Sequence, residues 1–348
     1  MINAILVIIG TIIGAGFASG KEIFTFFNVY GVYGLFGLII SGFVIGIVIY
    51  KTFCIIINYN ISSYSDFINK TIRKSSFINT VVCNIINIFL LISFIIMVAG
   101  FSAYFAQEFN ISYIWGASLI AILSFFTFLK DMNRIIKINT YFIPFFIFII
   151  LLLGIKNLDC FTFFEYNSTK TNFYWIISSL LYASYNLIIV FPILISLKPY
   201  IHSLKNAKIV SVVVAFFLIL MSGILFFLLN YYFVEVYSLE LPTVYIATNL
   251  GSFYKYVCSL VILGAIFTTA ISSGYGFLSN INITHKKLYT CVAFFMCLIS
   301  ISLCNMGFTT LLNLLYPILG CLRFYTDCFY IIFYKNALKN FIFIGINM

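Results

Sequence analysis

Three short stretches of this sequence carry residue types that could do chemistry inside an otherwise apolar chain. The first is Gly10-Thr-Ile-Ile-Gly-Ala-Gly-Phe-Ala-Ser-Gly-Lys-Glu, which ends at Glu22. Glycines at i and i+4, such as Gly10 with Gly14 or Gly16 with Gly20, make a small face for close helix packing. Gly14-Ala15-Gly16 also sets two glycines within one turn, each weakening a helix by about 1 kcal/mol relative to alanine. An unwound segment there frees backbone groups, which a membrane interior tolerates only where they line a site. Carbonyls freed before the break suit a cation; amides opening the next half-helix, from Ala15 to Ala18, suit an anionic group. The second stretch, Ser178-Ser-Leu-Leu-Tyr-Ala-Ser-Tyr-Asn186, clusters hydroxyls and an amide in mid-run, with Phe191-Pro192 behind it. It reads as a second break facing a cavity, against the plainer alternative of hydroxyls bonding back to their own helix. The third runs from Ala265 through Thr268, Thr269, Ser272 and Ser273 to Gly274. Hydroxyl and carbonyl oxygens are hard ligands for a small hard cation, and back-bonding is again the alternative.

Glu22 is the only acid in the first apolar run. An acid inside a membrane is a functional group by default, here a proton carrier or a partner for a substrate ammonium. The competing readings are a pair with Lys21 and a carboxylate reaching for the interface. Arg323 and Asp327, four apart in the last run, read as a structural pair.

The elements that must position these groups follow from composition. The chain has 348 residues, 63% hydrophobic and 8% charged, with a mean hydropathy of +1.13. A soluble domain carries about 25% charged residues, so soluble enzymes, nucleic-acid binders and secreted disulfide scaffolds are excluded. Continuous apolar runs indicate an all-α polytopic membrane protein. Ten spans are expected, at 3–27, 33–57, 77–107, 113–129, 134–155, 173–197, 208–233, 253–280, 287–304 and 308–334. With the N-terminus in the cytoplasm, fourteen of the nineteen basic residues fall inside. They are Lys51, Lys70, Arg73, Lys74, Lys130, Arg134, Lys137, Lys198, Lys205, Lys208, Lys286, Lys287, Lys335 and Lys339. Three (Lys156, Lys170 and Lys255) fall outside, which by the positive-inside rule puts both termini in the cytoplasm of a multi-pass plasma-membrane protein. The net charge of +10 is then mainly a record of topology, with some attraction to anionic membrane lipid and none to nucleic acid.

The start, MINAILVIIG, reads as a retained first helix rather than a signal peptide. The nine cysteines show no metal spacing and read as small core residues. His202 and His285 sit beside loop lysines, and no base lies near the mid-run serines, so nucleophilic catalysis has no candidate and no enzyme is expected. The sequence leaves oligomeric state open.

Ten spans in two five-span halves, a first span broken at Gly-x-Gly, a polar sixth and a hydroxyl pair in the eighth resemble the amino acid–polyamine–organocation superfamily with its LeuT-type fold. The string Ile-Gly-Ala-Gly-Phe-Ala-Ser-Gly-Lys-Glu-Ile at 13–23, with Tyr182-x-Ser-Tyr-Asn, more narrowly resembles the YkvI-type bacterial membrane proteins. The resemblance implies two inverted repeats, 1–155 and 173–334, with the first and sixth helices broken. It implies a sodium site between spans one and eight, formed by carbonyls of Gly10, Ile13 and Ala265 and hydroxyls of Thr268 and Thr269. For substrate it implies the amides of Ala15 and Gly16, with Tyr104, Tyr182, Ser184 and Asn186. The expected function is secondary transport of a small solute, an amino acid or related zwitterion, with Na+ (or H+) as coupling ion and no cofactor. The alternative of the same fold is a solute-sensing receptor of the spore-germination type.

Overall fold

Apolar helix-forming residues in continuous runs fold into helices, interrupted among the described residues where glycine or a loop sequence allows it. A computed structural model describes residues 1–61, 66–67, 76–129, 133–161, 173–281 and 285–312. The first span is three pieces: α1 (Ile2–Ile12), a one-turn α2 (Ala15–Ala18) and α3 (Lys21–Phe26). Span two is Val32–Asn58, span three Ser76–Phe109, span four Tyr113–Phe128 and span five Asn133–Lys156. Span six is Tyr174–Ser196, span seven Leu204–Tyr231, span eight Ser252–Asn280 and span nine Lys286–Leu303. These agree with the expected positions to within a few residues. Among the described residues six helices are long and apolar enough to cross a membrane, and Ile2–Ile12, Tyr113–Phe128 and Phe142–Lys156 are shorter apolar helices. The expected tenth span lies outside the described residues beyond Leu312, as do Arg323 and Asp327. The link between spans seven and eight folds into two short helices, Phe233–Val236 and Pro242–Asn249.

Packing separates an inner group of helices from an outer one. The apolar window of span three is 78% buried inside the protein, that of span nine only 28%. Span three is therefore a core pillar, while span nine turns Phe294, Phe295, Leu298 and Ile299 outward, where apolar side chains are at home only against lipid. Span two lies on span seven with its glycines at the contact. A Cβ at Gly42 would fall 2.3 Å from Ile219, and one at Gly46 would fall 2.8 Å from Ala215. Small residues there let the two backbones approach, the device by which helices associate without a hydrophobic drive. Spans three and eight, two and seven, four and nine, and one and six are all in contact. Each of these pairs joins spans five apart in the chain.

The sixth span departs from expectation. It is one continuous helix from Tyr174 to Ser196, not a broken one. No glycine occurs in it, and several of its polar groups find partners without unwinding. Ser179 Oγ donates to the Trp175 carbonyl at 2.6 Å and Asn186 Nδ2 to the Tyr182 carbonyl at 3.0 Å, both one turn back. Ser178 Oγ donates across to the Phe26 carbonyl at 2.8 Å, tying span six to the end of span one. Polarity in mid-helix is absorbed by back-bonding and by two bonds to span one, from Ser178 to the Phe26 carbonyl and from Tyr185 to Glu22.

Candidate functional site

The first helix stops where the glycine pair begins. Ile13 leaves the helical region with ψ 79°, and Gly14 is extended at φ −94°, ψ −164°. The chain then makes the single turn of α2, stops again at Ser19, and restarts through Gly20 at φ +78°. That left-handed conformation costs a non-glycine residue about 1–3 kcal/mol, which explains Gly20. A Cβ there would also crowd Thr243 at 3.1 Å and Leu229 at 3.2 Å. This second joint was not anticipated, although the glycine that permits it stood in the motif.

At the first joint the span-eight hydroxyls arrive. Thr269 Oγ1 lies 3.4 Å from the Ile13 carbonyl oxygen, and Thr268 Oγ1 donates to the Ala265 carbonyl at 3.0 Å. Thr268 and Thr269 are 2% and 1% exposed, Ile13 and Ala265 fully buried. Gly10 is buried one turn before the joint. A Cβ at Gly14 would lie 3.2 Å from Thr269 Cγ2, so this glycine sets how closely span eight approaches. The structure thus gathers Ile13, Gly14 and Thr269, with Thr268 next to Thr269 and Ala265 one turn back along span eight.

The expected anion site after the joint is used internally. The Ala15 amide donates to Met97 Sδ of span three at 3.3 Å. Gly16 is covered by the Glu22 side chain: a Cβ there would fall 2.1 Å from Oε1. Span three reaches the joint through Met97 and Gly100, whose own Cβ would lie 2.9 Å from Ala15 Cβ. Tyr104 shares their helix face but sits one turn farther along, its ring packed on Phe105 and Phe109. Met97 carried no signal in the sequence beyond its place in mid-span.

Glu22 is 3% exposed, and its carboxylate accepts a short hydrogen bond from the Tyr185 hydroxyl of span six. Around this bond stand aromatic rings. Phe26 lies 5.6 Å from both Tyr182 and Tyr185, Phe27 4.9 Å from Tyr182, and the two tyrosines 5.4 Å from each other. Asn186, 1% exposed, donates one amide hydrogen to the Tyr182 carbonyl and keeps an Oδ1 with no hydrogen-bond donor. Ser184 is buried in the same helix, and the described contacts do not tie it to the joint.

Lys21 turns away from Glu22. Its ammonium donates to the Leu239 carbonyl at 2.7 Å and the Tyr237 carbonyl at 3.1 Å, in the link between spans seven and eight. The same link grips α2, since Thr243 donates through its amide to the Ser19 carbonyl at 3.0 Å and through its hydroxyl to the Ala18 carbonyl at 2.8 Å. Beside it opens a cavity of about 470 Å³ lined by Gln107, Tyr113, Ser238 and Glu240. Burial pushes the Glu240 carboxyl above its ordinary range, opposed by a hydrogen bond from Tyr113 and the charge of Lys21. Lys255 and Glu108 join spans eight and three at this end of the bundle with a 2.6 Å ion pair.

No family model matches the chain. It is similar to two proteins of Bacillus subtilis (strain 168). One is the uncharacterized protein YyaD, 26% identical over 345 residues that cover 92% of this chain and 93% of the relative. The other is the uncharacterized membrane protein YkvI, 24% identical over 325 residues that cover 90% of each. Full-length similarity to a membrane protein and six helices able to span agree on a polytopic membrane protein with a buried, two-part polar centre.

Proposed function

We propose that the chain is a secondary active transporter that moves a small solute by alternating access across the cell membrane, with Na+ as the coupling ion and both termini in the cytoplasm. The observation that carries this is the meeting of the Ile13 carbonyl, freed by the first joint, with the Thr269 hydroxyl of span eight. Oxygen ligands about 2.4 Å from a cation, a distance typical for Ca2+, sit about 3.4 Å apart when they subtend a right angle. The Thr269–Ile13 spacing of 3.4 Å fits that, and Thr268 beside it and Ala265 one turn back add two further oxygens. An amino acid or related zwitterion remains the expected solute. Contacts between spans five apart support a repeat of 1–155 by 173–334, whose halves rock about the broken span.

In this mechanism cation binding draws the freed carbonyls of span one toward span eight, and so favours one of two arrangements of the bundle. The test is uptake of labelled amino acids and amines into proteoliposomes with and without an inward sodium gradient. Wild type accumulates solute only with the gradient, Thr269→Ala loses that dependence, and Thr269→Ser keeps it. Equal uptake by wild type in both conditions would sink sodium coupling.

A further inference from the structure

The first joint is held by two helices, and they hold it with different atoms. Span eight brings the Thr269 hydroxyl to the Ile13 carbonyl. Span three brings a sulfur. Met97 is 1% exposed, and its Sδ accepts the Ala15 amide, the first of α2, at 3.3 Å. The opening amides of a helix have no partner inside it, so this one depends on what a neighbour supplies. Two glycines permit the approach. A Cβ at Gly100, three residues on and on the same face of span three, would fall 2.9 Å from Ala15 Cβ. A Cβ at Gly14 would lie 3.4 Å from both Sδ and Cε of Met97 and 3.2 Å from Thr269 Cγ2.

The covalent chain links these two holds. The Ile13 carbonyl and the Ala15 amide belong to successive peptide planes, each rigid, joined at the Gly14 Cα. Between them stand only the φ and ψ of Gly14, the residue type with the widest choice of both angles. An anchor on the Ala15 side therefore restricts where the Ile13 carbonyl can point. A thioether suits the task, because it is a weak acceptor on a long, unbranched, adaptable side chain. It gives the joint a direction without locking it. Sulfur is also a soft ligand and leaves a hard cation to the oxygens.

We propose that Met97 is a positioning residue for the coupling cation: its thioether anchors the Ala15 amide and so aims the Ile13 carbonyl at the space beside the Thr269 hydroxyl. This rests on the reading of the first joint as the coupling-ion site and names what sets its geometry from span three.

Two readouts on the full chain in lipid nanodiscs test this. The first is independent of transport. In the chain with isotope-labelled alanine, the Ala15 amide resonance is identified by its absence in Ala15→Gly. It moves in Met97→Leu, which removes the acceptor at similar volume, and returns toward the wild-type position in Met97→Gln, which restores an acceptor at similar reach. The Ala117 resonance of span four stays in place. The second readout is the sodium concentration that gives half of the maximal thermal stabilisation, with choline chloride holding the ionic strength. It rises about threefold in Met97→Leu and falls back in Met97→Gln. An unfolding transition recorded without sodium shows that each variant is folded, and if Met97→Gln is not, Met97→Leu alone decides. An unmoved Ala15 resonance in Met97→Leu overturns the anchor. Equal loss of the sodium response in Met97→Leu and Met97→Gln overturns it too, because lost packing is then the cause. A Thr269-dependent sodium response that is the same in wild type and Met97→Leu overturns the positioning role and leaves sodium coupling standing. No sodium response in wild type, with an Ala15 resonance that moves in Met97→Leu and returns in Met97→Gln, overturns sodium coupling and leaves the anchor standing.

Discussion

Spans one and six face each other through Glu22–Tyr185 and Ser178–Phe26, yet only one is broken. Span one has two joints, each with a glycine at the bend, at Ile13–Gly14 and at Ser19–Gly20. Span six has more hydroxyls and an amide, no glycine, and an uninterrupted helix. The contrast teaches that polar residues alone do not open a helix, because their side chains find carbonyls one turn back. Opening it takes residues that make the non-helical conformation inexpensive, together with neighbours that occupy the freed groups. Thr269, Met97 and Thr243 do this for span one.

Several substitutions press on this difference. Gly20→Ala has the largest expected effect on the fold, a loss of about 1–3 kcal/mol from the left-handed backbone, with crowding against Thr243 and Leu229 added to it. It is read as a lowered thermal midpoint in detergent, and an unchanged midpoint would show that the second joint bears no constraint. Ser179→Ala in span six removes only the back-bond to Trp175 and is expected to cost no more than about 1 kcal/mol. A loss as large as that of Gly20→Ala would mean that span six depends on its hydroxyls in a way a continuous helix does not. The smallest effect concerns the link that clasps span one. Because Glu240 titrates above the ordinary carboxylate value of 4.5, its protonated form is favoured in the folded state. The stability it contributes is complete below 4.5 and is lost as pH rises through the raised value. Thermal midpoints of wild type should therefore decline across that window, and those of Glu240→Gln should not. Identical profiles would remove Glu240 from the clasp.

Much of this was legible in the residues, and the failures have a common cause. The first joint could be placed because glycine spacing is a backbone property, and backbone conformation is local. The Thr268–Thr269 pair was set beside it only through the resemblance to LeuT-type proteins, because spacing within one helix does not say which other helix it faces. Span six was misread because its polar side chains could be listed from the sequence but their partners could not. For span three, Met97, Gly100 and Tyr104 share one face, and the contacts at the joint come from the first two. The offset is one turn, about 6 Å at 1.5 Å per residue, a matter of how far the helix slides against its neighbours. Thr243 and the carbonyls that hold Lys21 lie in a link more than two hundred residues away in the chain, beyond any local pattern.

The single turn of α2 between its two glycine joints has a mechanical meaning. A rod bent at one point can only tilt about it. A short rigid piece with a joint at each end works as a crank, and its two neighbours can shift sideways while each keeps its direction. α1 and α3 are joined through such a crank, Ala15–Ala18, with the Ile13 and Thr269 oxygens at one joint and the Thr243 clasp at the other. In such a linkage, movement at the Ile13 end would become displacement at the Lys21–Glu22 end without bending either helix.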